Sequence, residues 1–302
     1  MHRYRIAAAA SALALGLTAA PVSAVPVEIS KDLHEALPAF RYRAEDILRL
    51  QPQGLGVDAP LQKALQAINH GRTGEAIGLL RAHLKTTAPS APARELLGAA
   101  YALEGKLDEA LVELRAAVAL NARQSTAYTK IADILLAQGK RDAALPMLLK
   151  AVEITPEDRL PHQRLGLLYE AAGKPADAIR HYERGIAGTP PQYLGVKLNL
   201  ARLYNASGRY AETLDLLQGG AAAGDASALV LLGTSYLALG RADDALQRFQ
   251  AARQRDPNEP GAYLGLGTAH RVKREHAASV EALNRLVRLR PDWSAAHFQL
   301  GE

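Results

Sequence analysis

The chain has 302 residues, of which 48% are hydrophobic and 5% aromatic, so wholesale disorder is excluded, and abundant alanine and leucine favour helices over a β-sandwich or β-barrel. The absence of cysteine excludes disulfides, thiolate metal sites, a cysteine nucleophile and a lipid-anchored N-terminal cysteine. The formal net charge of +5 falls to +3 when the two arginines at the N-terminus are discounted, and this near balance gives no indication of nucleic-acid binding.

The first 24 residues have the pattern of a secretory signal peptide. Arg3 and Arg5 form a short basic start, residues 6–20 are mainly apolar, and Val22–Ala24 offers the small-residue motif that precedes a cleavage site. A retained membrane anchor is the alternative, but this apolar stretch is short against the roughly 20 residues that a helix needs to cross the hydrocarbon layer. We therefore expect cleavage at the end of the motif, which gives an exported protein, periplasmic or secreted, without stable membrane insertion.

Residues 25–56 contain three prolines and a Gly-Leu-Gly turn around one possible helix. The simplest interpretation is a lead-in or capping segment. The regular part of the sequence is predicted to begin after it, at residue 57.

From there onward, one pattern recurs about every 34 residues. In its clearest copies a glycine is followed by a tyrosine three residues later, then by a second glycine and an alanine, as in Gly98, Tyr101, Gly105 and Ala110. A period of this length is typical of proteins built from repeated helical pairs. The period predicts seven repeats at 57–90, 91–124, 125–158, 159–193, 194–225, 226–259 and 260–293.

Each recurring position has a physical reason. The first glycine, or an alanine in its place, lets two helices cross closely, and the tyrosine fills the space beside the crossing. The second glycine ends the first helix in a left-handed backbone conformation. Acidic residues then begin the second helix, and an alanine lies where this helix contacts the first. The crossing residues are Gly98, Ala132, Gly166, Ala201, Gly233 and Gly267; the turn glycines are Gly71, Gly105, Gly139, Gly173, Gly208 and Gly240; the contact alanines are Ala76, Ala110, Ala144, Ala178 and Ala245.

Some repeats depart from this pattern. Thr213 replaces the contact alanine in the fifth repeat, and Ser279 replaces it in the seventh. The seventh repeat also has His270 in place of the tyrosine and Arg274 in place of the turn glycine. We expect these changes to affect the end boundaries and not the architecture.

These positions together resemble the tetratricopeptide repeat (TPR) family, whose W-x2-L-G-x2-Y…A-x3-F…P pattern the chain matches except at the tryptophan. The resemblance implies an all-α fold, a right-handed α-solenoid of about seven helix-turn-helix repeats that share one apolar interior. It also implies a concave groove, lined by the first helices, that binds a protein or an extended peptide.

Residues 294–302 begin a further first helix and stop before its tyrosine position. Because solenoids usually finish with a polar capping helix, we favour a truncated chain over half a helix serving as the cap.

On each first helix, side chains spaced i, i+4 and i+7 are predicted to face the groove. Arg164, Asn199 and Arg202 are the best donors for a carboxylate or for main-chain carbonyls. For any single residue, a solvated polar helix face is the alternative. The predicted peptide-binding residues are Thr129, Asp133, Gln163, Arg164, Glu170, Asn199, Arg202, Asn205 and Thr234.

Some TPR proteins hold a C-terminal carboxylate with lysine and asparagine at set groove positions. Here those positions carry Thr129, Asp133, Gln163 and Leu167. The resemblance therefore does not extend to that carboxylate clamp.

A basic cluster lies in the seventh repeat and is a candidate site for acidic polysaccharide or lipid headgroups. We favour a solvated surface, because arginines in the last turn of a helix also suit its dipole without a partner. The cluster consists of His270, Arg271, Lys273, Arg274, Arg285, Arg288 and Arg290.

Short motifs that suggest catalysis or cofactor binding lack the required context. The GLGTAH segment from Gly265 has no βαβ unit around it. The pair His34-Glu35 lacks the second histidine of a zinc protease helix, and no serine lies in a nucleophile elbow. We predict no enzyme activity, no cofactor and no metal site.

These observations favour an exported adaptor or scaffold that binds partner polypeptides in the groove and acts in envelope assembly. One alternative, motivated by the interrupted last repeat, is the repeat region of a larger secretion or polysaccharide-export component. Another alternative is an enzyme with an unrecognised site.

Overall fold

The computed structural model of the chain describes residues 59–186, 194–292, 297, 300 and 301. The predicted signal peptide, the lead-in segment and most of the incomplete last repeat lie outside these residues. Within the described part, all the regular elements are helices, fourteen α-helices and one 3-10 helix, which confirms the predicted all-α class. The helices belong to two units, with the boundary after Ala172.

The first unit contains seven of the described helices. They are α1 (Ala59–Asn69), α2 (Thr73–Thr86), α3 (Ala91–Leu103), α4 (Leu107–Leu120), α5 (Ser125–Ala137), α6 (Arg141–Ile154) and α7 (Arg159–Ala171). Each helix packs on the next one, and α3 also contacts both α1 and α5. The buried leucines, isoleucines and alanines form one continuous core from Leu61 to Leu168, which is the shared interior that a stack of helical pairs requires.

The second unit contains the other seven described α-helices. They are α8 (Pro175–Ile186), α9 (Leu194–Ala206), α10 (Tyr210–Leu217), α11 (Ala226–Ala238), α12 (Ala242–Arg255), α13 (Pro260–Val272) and α14 (His276–Leu289), with the 3-10 helix Gly220–Gly224 before α11. The packing order is the same, and α11 contacts both α9 and α13. Within each unit the helical pairs therefore stack in chain order, as in an α-solenoid.

The turns inside the helical pairs confirm the role predicted for the second glycine. The six turn glycines have φ between 69° and 78°. At Gly105 the amide donates to the Ala102 carbonyl at 3.0 Å, and the next amide donates to the Tyr101 carbonyl at 2.9 Å, the bond pair of a Schellman cap. Arg274 takes the same conformation in the seventh repeat, with φ 63°.

The helix crossings confirm the role predicted for the first glycine. A Cβ atom at Gly98 would lie 2.7 Å from Leu114 Cγ, and one at Gly233 would lie 2.6 Å from a ring carbon of Phe249. The second helix therefore approaches too closely for a side chain at either position. The contact alanines on the second helices are all fully buried.

The hydroxyl residues that replace two contact alanines are held by the first helix of their own repeat. Thr213 Oγ1 donates to the Ala201 carbonyl at 3.2 Å, and Ser279 Oγ donates to the Gly267 carbonyl at 2.8 Å. In both repeats the acceptor is the carbonyl of the crossing residue. This bond satisfies the buried hydroxyl, so the crossing is kept despite the departure from alanine.

Candidate functional site

The first helices of the first unit carry the strongest candidate site. Four of the predicted residues, Thr129 and Asp133 on α5 and Gln163 and Glu170 on α7, are buried. The Thr129 hydroxyl donates to a carbonyl of its own helix at 3.1 Å. Arg164 is partly buried, and its Nε donates to Asp133 Oδ1 at 2.9 Å, so an ion pair joins α7 to α5.

A second ion pair joins α5 to α3. Lys130 Nζ lies 3.3 Å from Glu95 Oε1, and the two side chains are 6% and 0% exposed. Thr126 Oγ1 donates to Glu95 Oε2 at 2.9 Å, and Gln124 Nε2 donates to the same oxygen. The buried carboxylate therefore has a cation and two neutral donors as partners.

Glu95, Lys130, Asp133 and Arg164 form what we call the charge ladder. The sign of the charge alternates along it from α3 to α7, and each charge has an opposite charge on the neighbouring first helix. Burying a charge costs several kcal/mol unless it is paired in this way. The ladder thus fixes polar side chains on the first helices, where Glu95, Lys130 and Asp133 are buried and Arg164 is partly exposed.

The sequence-based prediction missed Glu95 and Lys130, although the repeat period contains the signal for both. Glu95 lies 34 residues before Thr129, and Lys130 lies 34 residues before Arg164. Both therefore occupy positions that were assigned to the groove in neighbouring repeats. Extending the same spacing to one more repeat identifies them.

Two buried oxygen atoms at the ladder have no hydrogen-bond partner among the described residues, Asp133 Oδ2 and Gln124 Oε1. Each of them can only accept a hydrogen bond. Leaving such a group without a donor costs roughly 1–3 kcal/mol. Because both atoms are buried, a ligand that brings N–H groups to this face would remove that cost only if neighbouring side chains moved to admit it.

In the second unit, the predicted residue Asn205 is engaged in packing. Its Nδ2 donates to the Leu231 carbonyl at 3.0 Å, and its Oδ1 accepts from Ser235 at 2.7 Å. Asn205 Oδ1 also lies 2.8 Å from Thr213 Oγ1, whose single hydrogen is shared between Asn205 and the Ala201 carbonyl. These bonds tie α9 to α10 and α11. The Asn205 side-chain amide, which was predicted to bind a peptide, therefore forms hydrogen bonds within the protein instead.

The remaining predicted residues of the second unit are partly buried. Thr234 Oγ1 donates to a carbonyl of its own helix at 2.9 Å. Asn199 and Arg202 lie on α9, whereas Arg164, the third predicted donor, lies in the first unit. The prediction of these residues as peptide ligands stays a prediction.

Part of the predicted basic cluster is neutralised by neighbouring carboxylates. Lys273 Nζ lies 2.7 Å from Asp243 and 3.1 Å from Glu275, and His270 Nδ1 lies 2.6 Å from Glu275. The hydrogen bond to Asp243, followed by the one to Glu275, raises the pKa of Lys273. The hydrogen bonds from His270 and Lys273 lower the pKa of Glu275.

Two other residues of the cluster, Arg285 and Arg288 on α14, line a cleft of about 450 Å³ between α12, α13 and α14. Arg253 lines it from α12, and Glu281 is the acidic residue of its lining. All three arginine side chains are exposed. The buried Tyr263 contributes to the cleft from α13.

Within the described part of the chain, no group of three or more histidine, aspartate or glutamate side chains is placed to hold a metal ion. None of the helices described there combines the length and the apolar character that crossing a membrane requires.

Stacked helical pairs with left-handed turn residues and close crossings define an α-solenoid repeat protein. Sequence comparison agrees with this class: a Tetratricopeptide repeat-like domain matches residues 59–199, and a Tetratricopeptide repeat matches residues 230–293. The chain belongs to the tetratricopeptide repeat family.

Several solved structures of repeat proteins are similar to this chain at low sequence identity. The C-terminal part of a TPR repeat-containing protein from Cytophaga hutchinsonii has a TM-score of 0.58 at 15% identity, covering 80% of this chain and 99% of that one. MamA from Desulfovibrio magneticus RS-1, as the ArsTM double mutant, has a TM-score of 0.50 at 21% identity and covers 55% and 94%. PilF from Pseudomonas aeruginosa has a TM-score of 0.48 at 22% identity and covers 81% and 97%. No curated protein sequence matches the chain.

Proposed function

We propose that the protein is a non-enzymatic scaffold that binds an extended segment of a partner polypeptide along the first-helix face of its repeats. Membership of the TPR family supports a protein partner. The observation that carries the proposal is the charge ladder, because a buried ion pair contributes little to stability compared with apolar side chains of similar size. Stability alone therefore does not explain the buried charges on these helices; recognition of a polar ligand is one role that does, beside the selection of one helix register.

The two unpartnered acceptors at the ladder indicate which chemistry the partner offers. Asp133 Oδ2 and Gln124 Oε1 need donors. A carboxylate has none, whereas an extended peptide presents main-chain N–H groups at regular intervals, and lysine or arginine side chains add charged donors. We therefore propose a peptide bound through its amides and basic side chains, not through a C-terminal carboxylate.

We also propose that the protein is exported and acts in assembly of the cell envelope. The support for export is the pattern of residues 1–24, with its basic start, apolar stretch and small-residue motif. Binding of acidic polysaccharide or lipid headgroups at the basic C-terminal repeat, and a place within a larger secretion or polysaccharide-export component, stay predictions.

Photo-crosslinking in cells tests the first-helix face directly. A photoreactive amino acid at Leu167, which is partly exposed on α7, is expected to give a protein adduct in the exported fraction. The matched control is Val112, which is 64% exposed on the second helix α4 of the same unit and is expected to give none. The protein recovered from that fraction is expected to begin at Val25.

The charge ladder is tested in the same experiment. Asp133→Asn replaces the unpartnered acceptor with a donor and is expected to reduce the Leu167 adduct about tenfold, the effect of losing one charge-assisted hydrogen bond. Glu113→Gln makes the same charge change on the second helix α4 and is expected to leave the adduct unchanged. Equal adducts from Leu167 and Val112, or no response to Asp133→Asn, would contradict the proposal.

A further inference from the structure

We propose that the cleft between α12, α13 and α14 is a second binding site, in which Arg253, Arg285 and Arg288 hold an acidic segment of a partner polypeptide. The cleft has a volume of about 450 Å³, which lies within the range of volumes of ligand-binding pockets in proteins. The arginines come from the second helices α12 and α14, not from the first helices that carry the charge ladder.

The three guanidinium groups have no partner within the molecule as described. None of them forms an ion pair or a hydrogen bond with the described residues. Some other basic side chains of the same unit are paired within the molecule, for example Arg241 with Asp244 at 2.7 Å. A guanidinium group without an internal partner is available to an external anion, and these three share one concave lining.

The charge of the cleft favours an anionic ligand with more than one acidic group. Three arginines and one glutamate line it, so positive charge is in excess. A concave surface lined mainly by one sign of charge concentrates the electrostatic field and attracts ligands of the opposite sign. Arg285 and Arg288 are three positions apart on one helix and therefore lie on one face of it, and Arg253 lines the same cleft from α12.

Guanidinium groups pair best with planar anions such as carboxylates, through two parallel hydrogen bonds. The amides of Gln250 and Asn284 also line the cleft and can pair with the main chain of a bound peptide. An acidic peptide therefore finds a partner here for both its side chains and its backbone.

The cleft is less suited to sugars or to a membrane surface. Sugar rings commonly bind against an exposed aromatic face, but Tyr263 is only 6% exposed and its hydroxyl donates to the Pro257 carbonyl at 3.0 Å. A bilayer surface meets protruding side chains more readily than a concave lining. An acidic polypeptide segment is thus the ligand that these side chains fit best.

This inference rests on the proposed scaffold function in one respect, that the ligand is a polypeptide. The residues and the test are separate, because the crosslinking from Leu167 does not use the cleft. The proposal for the first-helix face and the proposal for the cleft can therefore be contradicted independently.

Fluorescence anisotropy with the purified full chain tests the inference. The probe is a labelled glycine-serine peptide that carries four glutamates, and the control probe carries four glutamines at the same positions. We expect the glutamate peptide to bind at least about tenfold more tightly, and the difference to shrink as salt rises from about 0.1 M to about 1 M because the Debye length falls from about 10 Å to about 3 Å.

The variant Arg253→Gln/Arg285→Gln/Arg288→Gln is expected to weaken binding of the glutamate peptide by about tenfold or more. The matched control, Arg115→Gln/Arg123→Gln/Arg255→Gln, removes three exposed arginines that do not line the cleft and is expected to change affinity by less than about threefold. A charge reversal, Arg285→Glu/Arg288→Glu, is expected to favour a lysine peptide over the glutamate peptide, which a simple loss of folding would not produce.

Three results would overturn the inference. One is equal binding of the glutamate and glutamine peptides by the unmodified protein. Another is an equal loss in both triple variants, which would indicate attraction by the overall charge. The third is tighter binding of an oligouronate with four carboxylates, or of anionic lipid vesicles, than of the glutamate peptide.

Discussion

Arg274 shows how a single residue can keep the repeat geometry without the residue type that usually provides it. It has φ 63° at the turn that glycine occupies in six other helical pairs. Its amide donates to the Arg271 carbonyl at 3.0 Å, and the Glu275 amide donates to the His270 carbonyl at 2.8 Å, so the Schellman cap forms. A left-handed conformation costs a residue with a Cβ roughly 1–2 kcal/mol, and the stacked helices impose that cost here.

Replacing Arg274 with glycine should therefore stabilise the seventh repeat. We expect Arg274→Gly to raise the free energy of unfolding by about 1 kcal/mol, because relief of the left-handed strain exceeds the added backbone entropy of glycine in the unfolded chain. The midpoint of urea denaturation, followed by circular dichroism, measures the change. Lys273→Gly is the control, since Lys273 has φ −80° and two ion pairs, and it is expected to lower the midpoint. A lower midpoint for Arg274→Gly would contradict the strain argument.

At the scale of the helices, the charge ladder connects successive first helices through polar contacts, in addition to the apolar core. Glu95 on α3 pairs with Lys130 on α5, and Asp133 on α5 pairs with Arg164 on α7. Each pair spans two repeats, so it forms only when those repeats are stacked. Ion pairs of this kind favour one register between neighbouring helices over others, at the cost of burying charge.

Breaking the Glu95–Lys130 pair, the more buried of the two, should reveal the free-energy cost of a buried charge. Glu95→Gln leaves the Lys130 charge buried without its counter-charge, and we expect it to lower the free energy of unfolding by about 3–5 kcal/mol. The double variant Glu95→Gln/Lys130→Met removes both charges and is expected to recover most of that loss. Glu75→Gln breaks the exposed pair with Arg72, at 2.9 Å, and is expected to cost less than about 1 kcal/mol. Denaturant titration measures all three, and a double variant no more stable than the single would refute this assignment.

At the scale of the whole molecule, the two units differ in how their interiors are connected. The first unit has one continuous core, whereas the described buried residues of the second unit form smaller clusters that partly buried side chains such as Val230 and Tyr236 connect. In repeat proteins each repeat is stabilised mainly by its neighbours, so a continuous interior spreads a local defect further along the stack.

Hydrogen exchange can compare the two cores with one type of substitution. Leu148 on α6 and Leu286 on α14 are both fully buried on second helices, and replacing either with alanine is expected to cost about 2–5 kcal/mol. Leu148→Ala should reduce amide protection through α1 to α7, because its core is continuous. Leu286→Ala should reduce it mainly in α13 and α14, whose cluster contains Tyr263 and Leu283. A defect confined to α6 after Leu148→Ala would show that the first core does not act as one unit.

Much of the fold could be read from the sequence because its determinants are local and repeated. The positive φ at Gly105 follows from one residue type at a helix end, and the close approach at Gly98 follows from one missing side chain. The candidate site was less predictable. The spacing of residues in the repeat placed Asn205 correctly on a first helix. It could not show that the Asn205 side chain forms hydrogen bonds with Thr213 and Ser235.

The sequence by itself determined the repeat period, the helical pairs with their turn glycines and the family of this protein, because each depends on residues within a single repeat. Only the tertiary structure decided that Lys130 pairs with Glu95, and that Arg253 shares a cleft with Arg285 and Arg288. These residues lie on different helices about one repeat apart. Whether they meet depends on the rotation and spacing of stacked helices, which no local pattern of residues specifies.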